Sequence, residues 1–466
     1  MSGMNESDPV NNPDGDRLPH PLFLTPDTKW LAAERHQSRT AGRDIEHLQS
    51  RFDELLMREN PDPDAVRTLA ARARSSPLRT NYAYSEPSTL DKIKRAAPSF
   101  ESPHIGDPGT ISEKDTIQGG LMGAIAGCLL GSPVQGWSRE RIHGFLQESN
   151  QYPIERFLHA DVADSVINQY NIFHNIEATG RDSSTFINHI EKIPPDDDID
   201  YTFVNIRTVE TCGAELQTED IGTTWIKQLP ALRTYTAERV AYRNLLDGIS
   251  PPETGLRDNP YREHIGALIR GPIWGLLCLG EPTHAATFAV RDALLSHVKN
   301  GIYAELWVAV LTAIAPLVGD LTEALRLSLS FLPAESRLAA SLRSICNSDA
   351  SAHTQIKRIH QQWDESIQRE WSHALPNAAL IAIALDHADS ITEALGTVVQ
   401  SGFDTDSHAA VVGAVYGAHI GAASIPSQWR SPFSSPILSG LSSEHSTSIE
   451  ALTQRAIAAS RRIKME

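Results

Sequence analysis

Two stretches far apart in the chain share one unusual period. Gly119, Gly123, Gly127 and Gly131 recur every fourth residue with Ala124 and Ala126 between them; late in the chain Ala410, Ala414, Ala418 and Ala422 run beside Gly413, Gly417 and Gly421. Residues four apart share one face of an α-helix. A glycine inside a helix costs roughly 1 kcal/mol relative to alanine. A face kept this small therefore implies a neighbouring helix at very short range. Each stretch is the natural candidate to be the other's neighbour, and pairing them brings the two ends of the main domain together.

The residues that lead into the second stretch are Gly402-Phe403-Asp404-Thr405-Asp406-Ser407. Asp and Ser at a helix mouth are ordinary capping residues, and capping accounts for any one of them. Two carboxylates and a hydroxyl around a glycine are also oxygen ligands for a hard cation. A second acidic stretch, Asp196-Asp197-Asp198-Ile199-Asp200, follows Pro194-Pro195 at the head of a helical segment. The helix dipole favours acids there. Three adjacent carboxylates nevertheless repel one another, and a bound cation offsets that repulsion. Together the two stretches give an oxygen-rich set suited to Mg²⁺ or Mn²⁺ and unsuited to Zn²⁺, which asks for His or Cys.

Helical periodicity recurs over 199–210, 236–246, 263–279, 283–295, 302–317, 321–332, 335–345, 351–367, 374–385 and 391–399, and convincing alternating strands are missing. The predicted fold is an all-α orthogonal multi-helix bundle with an N-terminal helical extension. The most apolar run, 119–134, is short and glycine-rich for a bilayer span, so it reads as a buried helix and no membrane partner is expected. Residues 1–27, rich in Asn, Asp and Pro, predict an extended or disordered lead. Trp30, Leu31, Ile45, Leu48, Phe52, Leu55 and Leu56 then recur at helical spacing, 64–74 forms a second short helix, and a Pro/Ser linker runs from 75 to about 114. The chain thus divides into an extension, 1–114, and a main domain, 115–466, with the extension expected to be dispensable for the core.

A net charge of −17 with no basic patch excludes nucleic acid as a major partner. Cys128, Cys212, Cys278 and Cys346 show no C-x-x-C spacing and read as reduced thiols; with a polar N-terminus, this predicts a cytoplasmic protein. Two further stretches stand out: Gly266-Ala-Leu-Ile-Arg270-Gly-Pro272 and Ser296-His297-Val-Lys299. A lone Arg or His near a helix end is more often a cap than a ligand.

In order and approximate spacing these motifs resemble the ADP-ribosylglycohydrolase family, all-α dinuclear-magnesium hydrolases related to the enzyme that removes ADP-ribose from dinitrogenase reductase. The resemblance covers roughly 116–430. It implies that Asp196, Asp197 and Asp198 join Asp404, Asp406 and Ser407 in holding two Mg²⁺ ions, Mn²⁺ being the alternative metal. Asp196 stands where relatives usually carry Thr, and Ser407 keeps the hydroxyl of their Thr. It also implies that Gln135, Arg270, Ser296, His297 and Gly402 face the substrate, ADP-ribose or an ADP-ribosylated conjugate, and that Asp198 or Asp404 moves the proton. Where relatives read Gly-Asp-Ala-Leu-Gly-x-Pro-Val-Glu, this chain reads Gly127-Cys128-Leu-Leu-Gly131-Ser-Pro133-Val134-Gln135. An amide at 135 cannot act as a base. The expected activity is hydrolysis of a glycosidic bond of ADP-ribose. The rivals are a non-catalytic ADP-ribose-binding or structural member, as among some lens crystallins, and a hydrolase of another nucleoside derivative.

Overall fold

The computed structural model describes residues 23–103, 105–172 and 185–464; the expected disorder of the lead falls, up to residue 22, outside them. The protein is all-α, and the one sheet among the described residues is the short antiparallel pair Ile437–Leu438 and Ser446–Thr447.

The two small-faced stretches form the helices Glu113–Gly131 and Thr405–Ile420, which lie antiparallel against each other through the bundle. Gly119 faces Gly417, Gly123 faces Gly413, Gly127 faces Ala409 and Gly131 faces Thr405. A Cβ placed on Gly123 would lie 1.9 Å from the Gly413 carbonyl oxygen, and one on Gly413 would lie 2.0 Å from that of Gly123. The helices meet backbone to backbone, which only glycine allows. Both ends of the pair are tied. The Thr405 hydroxyl donates to the Gly131 carbonyl at 2.8 Å, and Asp115 accepts from the Ala423 amide at 3.0 Å just beyond Gly421, whose φ of +76° ends the second helix.

Among the helices packed against this pair, Asn300–Ile314 is buried at every position. Two stretches, Glu113–Val134 and Asn300–Leu317, are long and apolar enough to cross a bilayer, but 78% and 94% of their apolar windows are buried inside the protein. They are core helices, and their hydropathy serves the interior.

The helices Arg139–Glu148, Thr218–Gln228 and Ile449–Lys464 lie outside the expected set, and three further departures have a local cause. The expected helix over 263–279 is a 3₁₀ stretch, Ile265–Arg270, followed by the α-helix Gly271–Leu277. Pro272 explains the break, since it lacks an N–H and its ring fits only the first turn of a new helix. The helix expected to reach 367 stops at Gln362, where Trp363 turns extended and Asp364 accepts from the Ser366 amide at 2.9 Å, a side-chain turn that competes with further winding. The linker after residue 75 carries the helix Leu90–Ala96, anchored by the fully buried Ile93.

The arm lies against the main body through a second apolar cluster, in which Trp30, Leu31, Phe52, Leu55 and Leu69 pack with Ala237, Val240 and Tyr261. Beneath it runs a buried charged seam. Arg262 grips Glu34 with both terminal nitrogens, at 2.8 and 2.9 Å, and Arg337 reaches Glu86 at 2.8 Å and Glu263 at 2.6 Å. Burial pushes the Glu263 carboxyl up, and Arg337 and Lys299 more than offset it, holding it down at about 2. Removing one member of a buried pair strands the other charge, at a cost of about 3–5 kcal/mol. Glu34→Gln is therefore expected to destabilise the full chain by that amount in chemical denaturation. An unchanged midpoint would instead support an arm that the core does not need.

Candidate active site

Each acidic stretch is aimed by the start of its own helix. Asp196 caps the helix Asp197–Cys212, its Oδ1 accepting from the Asp198 amide at 3.2 Å. Successive residues on a helix point about 100° apart. Asp198 consequently turns inward and is 6% exposed, Asp197 is partly exposed, and Asp200 swings away to accept from the Gly440 amide at 2.8 Å. On the other side, Gly402 (φ +75°) and Phe403 (φ +62°) both adopt left-handed backbone, delivering Asp404 to the mouth of Thr405–Ile420. Gly402 has no alternative there: a Cβ would lie 2.2 Å from a carboxylate oxygen of Glu365. The Asp404 amide donates to Asn377 Oδ1 at 3.3 Å, which fixes the turn.

The glycine pair brings the two stretches together. Ser407 Oγ donates to Asp198 Oδ2 at 3.4 Å, and Gln135 Nε2 donates to Asp404 Oδ1 at 3.0 Å. Asp404 is 4% exposed and Asp406 fully buried. Burial, and after it the neighbouring Asp406, drives the Asp198 carboxyl well above the usual carboxylate range, with Asp196, Asp197 and Asp404 adding to the repulsion. The same two causes raise Asp404, against a smaller opposing effect of the Gln135 amide. Asp198 Oδ1 is buried without a hydrogen-bond partner. Single ligand atoms of Cys128, Asp196 and Asp198 lie within 4.8 Å of one another.

Arg270, Ser296 and His297 form a second cluster. Arg270, 1% exposed, sits among Asp292 (3.0 Å), Glu238 (2.9 Å) and Glu305 (3.3 Å), and it donates to Ser296 Oγ at 3.2 Å, which in turn lies 2.8 Å from His297 Nδ1. Burial lifts Glu238 to about 7, and burial followed by Asp292 lifts Glu305 well above the usual range, so three carboxyls around one guanidinium need not carry three charges. Burial, then Arg270, keeps His297 neutral. Tyr201 adjoins both clusters: it lies one turn beyond Asp197 on the same helix, and the Arg270 guanidinium lies 5.4 Å from its ring centroid.

The ADP-ribosylglycohydrolase family matches residues 110–463, most of the chain. The chain belongs to the ADP-ribosylglycohydrolase family. A solved structure described as an "ADP-ribosylglycohydrolase-related protein complex" is similar at 17% identity and a TM-score of 0.44, over 75% of this chain and 99% of that one. No curated protein matches.

ADP-ribosylglycohydrolases are metal-dependent hydrolases of ADP-ribosylated substrates, and the residues present here fit a divalent ion. The donors are predominantly carboxylate oxygens, they repel one another when charged, and one buried oxygen, Asp198 Oδ1, lacks a partner. A cation satisfies all three conditions. Sequence reasoning overlooked three residues of this site. Asn377 and Glu365, which shape the 402–404 turn, carry no motif. Cys128 does carry a signal, a thiol beside Gly127 on the small-faced helix, but no spacing sets it apart from the other three cysteines.

Proposed function

We propose that this ADP-ribosylglycohydrolase uses two Mg²⁺ ions, or Mn²⁺ in their place, to hydrolyse a glycosidic bond of ADP-ribose in a protein or small-molecule conjugate. The observation that carries the reading is the meeting of Asp198 and Asp404, from stretches far apart in sequence, in one buried site with Asp406 and Ser407. Asp196, Asp197 and Asp198 would hold ions from one side and Asp404, Asp406 and Ser407 from the other. Held there, such ions would supply Lewis-acid charge beside the sugar and lower the pKa of a bound water.

The chain's own contribution is placement and proton handling. Cleavage at the anomeric carbon passes through an oxocarbenium-like state, which vicinal carboxylates stabilise electrostatically. Asp198 and Asp404, buried where the two stretches meet, are the groups placed to take a proton from the attacking water and return it to the leaving group. Gly402, packed against Glu365, sets the turn that carries Asp404 to the site. Arg270, Ser296 and His297, expected to face the substrate, are proposed to act at one remove by fixing Tyr201, which lies one turn beyond Asp197 and Asp198 on the same helix.

One observation favours a second reading. Gln135 occupies the position from which a glutamate of the relatives would act, and its amide is engaged with Asp404 at 3.0 Å. That arrangement suits a protein that binds ADP-ribose without cleaving it. Two measurements on the purified full chain test the proposal. Mg²⁺ or Mn²⁺ at a hundredfold excess over Kd is expected to stabilise the fold by about 2.7 kcal/mol for each ion bound, and ADP-ribosylated protein or O-acetyl-ADP-ribose is expected to release free ADP-ribose. Binding of ADP-ribose without turnover of either conjugate would select the second reading. Chelation without effect on the melting temperature, with no divalent metal by elemental analysis, would remove the metal site.

A further inference from the structure

The glycine helix that seals the core also places a sulfur in the site. Cys128 follows Gly127, so its side chain emerges at the flank of the helix face that meets Thr405–Ile420, on the side of the Asp197–Cys212 helix. It is 2% exposed, and its Sγ lies within 4.8 Å of a carboxylate oxygen of Asp196 and of Asp198. A neutral thiol can only donate weakly to a carboxylate, whereas a thiolate and carboxylates together make a ligand set for a cation. The unpartnered buried oxygen belongs to the same group: Asp198 Oδ1 has no hydrogen-bond donor. The other two buried cysteines have different surroundings. Burial pushes Cys278 up to about 12 and Cys346 up to about 11, and neither belongs to a cluster of metal-ligand type among the described residues.

We propose that Cys128 Sγ is a ligand of the metal ion held by Asp196 and Asp198, so that the two halves of the site differ in character. The Asp404–Asp406–Ser407 half offers only oxygen and suits Mg²⁺. The Cys128 half adds one soft donor to hard ones and favours Mn²⁺, Co²⁺ or Zn²⁺ over Mg²⁺, because thiolate affinity rises along that series far more steeply than carboxylate affinity. The thiol releases its proton on ligation. A site of this kind would load one ion of each sort from a mixed pool. Thiol-directed oxidants or mercurials would strike the enzyme at its metal centre, and bound metal would protect it.

The inference rests on the aspartate cluster being a metal site, and Co²⁺ separates the two claims. Titrating Co²⁺ into the metal-free full-length protein is expected to give weak visible ligand-field bands together with a near-ultraviolet thiolate-to-cobalt charge-transfer band. Cys128→Ser should remove the charge-transfer band and weaken Co²⁺ binding by about tenfold or more, the scale seen when a metal loses part of its ligand support. Cys278→Ser should change neither. Ligand-field bands without charge transfer would overturn the role of Cys128 while leaving the metal site standing. A charge-transfer band that survives in Cys128→Ser would also overturn it, since the sulfur would then be another cysteine's. Failure to bind Co²⁺ at all would overturn the metal reading itself. A circular-dichroism melt of Cys128→Ser shows whether the variant is folded; if it is not, protection of Cys128 from alkylation by Co²⁺ in the wild-type protein decides the matter, with no protection counting against the proposal.

Discussion

Gly413→Val is expected to prevent the full chain from folding. The Cβ alone would lie 2.0 Å from the Gly123 carbonyl oxygen, and the neighbouring atom is backbone on a helix that is itself buried, so neither side can yield without moving a whole element. Overpacking in ordinary cores costs about 1–3 kcal/mol because side chains adjust. Here adjustment means separating two helices along their length, and a loss above about 4 kcal/mol, within reach of the whole stability of a typical domain, is the expected scale. Soluble yield, far-ultraviolet circular dichroism and the denaturation midpoint read the outcome. Gly136→Ala is the control: its φ is +73° but a Cβ meets nothing within 4 Å, so it should cost only the roughly 1–2 kcal/mol of left-handed backbone. A Gly413→Val protein with the wild-type midpoint would mean that the helices do not pack as described.

Asp404→Asn should lower hydrolysis by about 10²–10⁴-fold, the range associated with a positioned proton carrier, and its effect on stability should run in the opposite direction. Asn keeps the shape of the side chain but removes one of several charges that push Asp198 and Asp404 toward their protonated forms. The metal-free variant is therefore expected to melt no lower than the wild type, and the increment gained on adding Mg²⁺ or Mn²⁺ should shrink. Gln135→Glu should do the reverse: a weaker metal-free protein, a larger metal increment, and raised or broadened activity, because a carboxylate replaces the amide that now donates to Asp404. Wild-type activity in Asp404→Asn would rule out the proposed chemistry. No activity in any variant, with ADP-ribose still bound, would favour a binding protein.

The period-four glycines were the most legible feature of the fold, since small residues on one helical face have few causes other than a close neighbour, and the neighbour was the other stretch of the same kind. Asp198, Asp404, Asp406 and Ser407 were legible for a related reason: each acidic run sits at the head of a helix, and the glycine pair fixes where those heads meet. Arg270 shows where reading by motif stops. Its expected place beside the substrate comes from its motif, while its environment of Glu238, Asp292 and Glu305 comes from three separate segments that no local pattern connects. The arm is similar. Its amphipathic spacing was visible, but the pairing of Glu34 with Arg262 across 228 residues was not. Long-range electrostatic partners leave no trace in local periodicity.

The order in which this chain is made gives the glycine pair one more consequence. Gly131 and its partner Thr405 are separated by 274 residues. At the roughly 5–20 residues per second of protein synthesis, the first helix waits about fifteen seconds to a minute for the second to emerge. Throughout that interval its glycine groove is bare, no later helix can be seated correctly across it, and Asp196 to Asp198 face an unfinished wall. A product terminated anywhere before residue 404 would carry the Asp196–Asp198 half of the proposed site without the half that faces it.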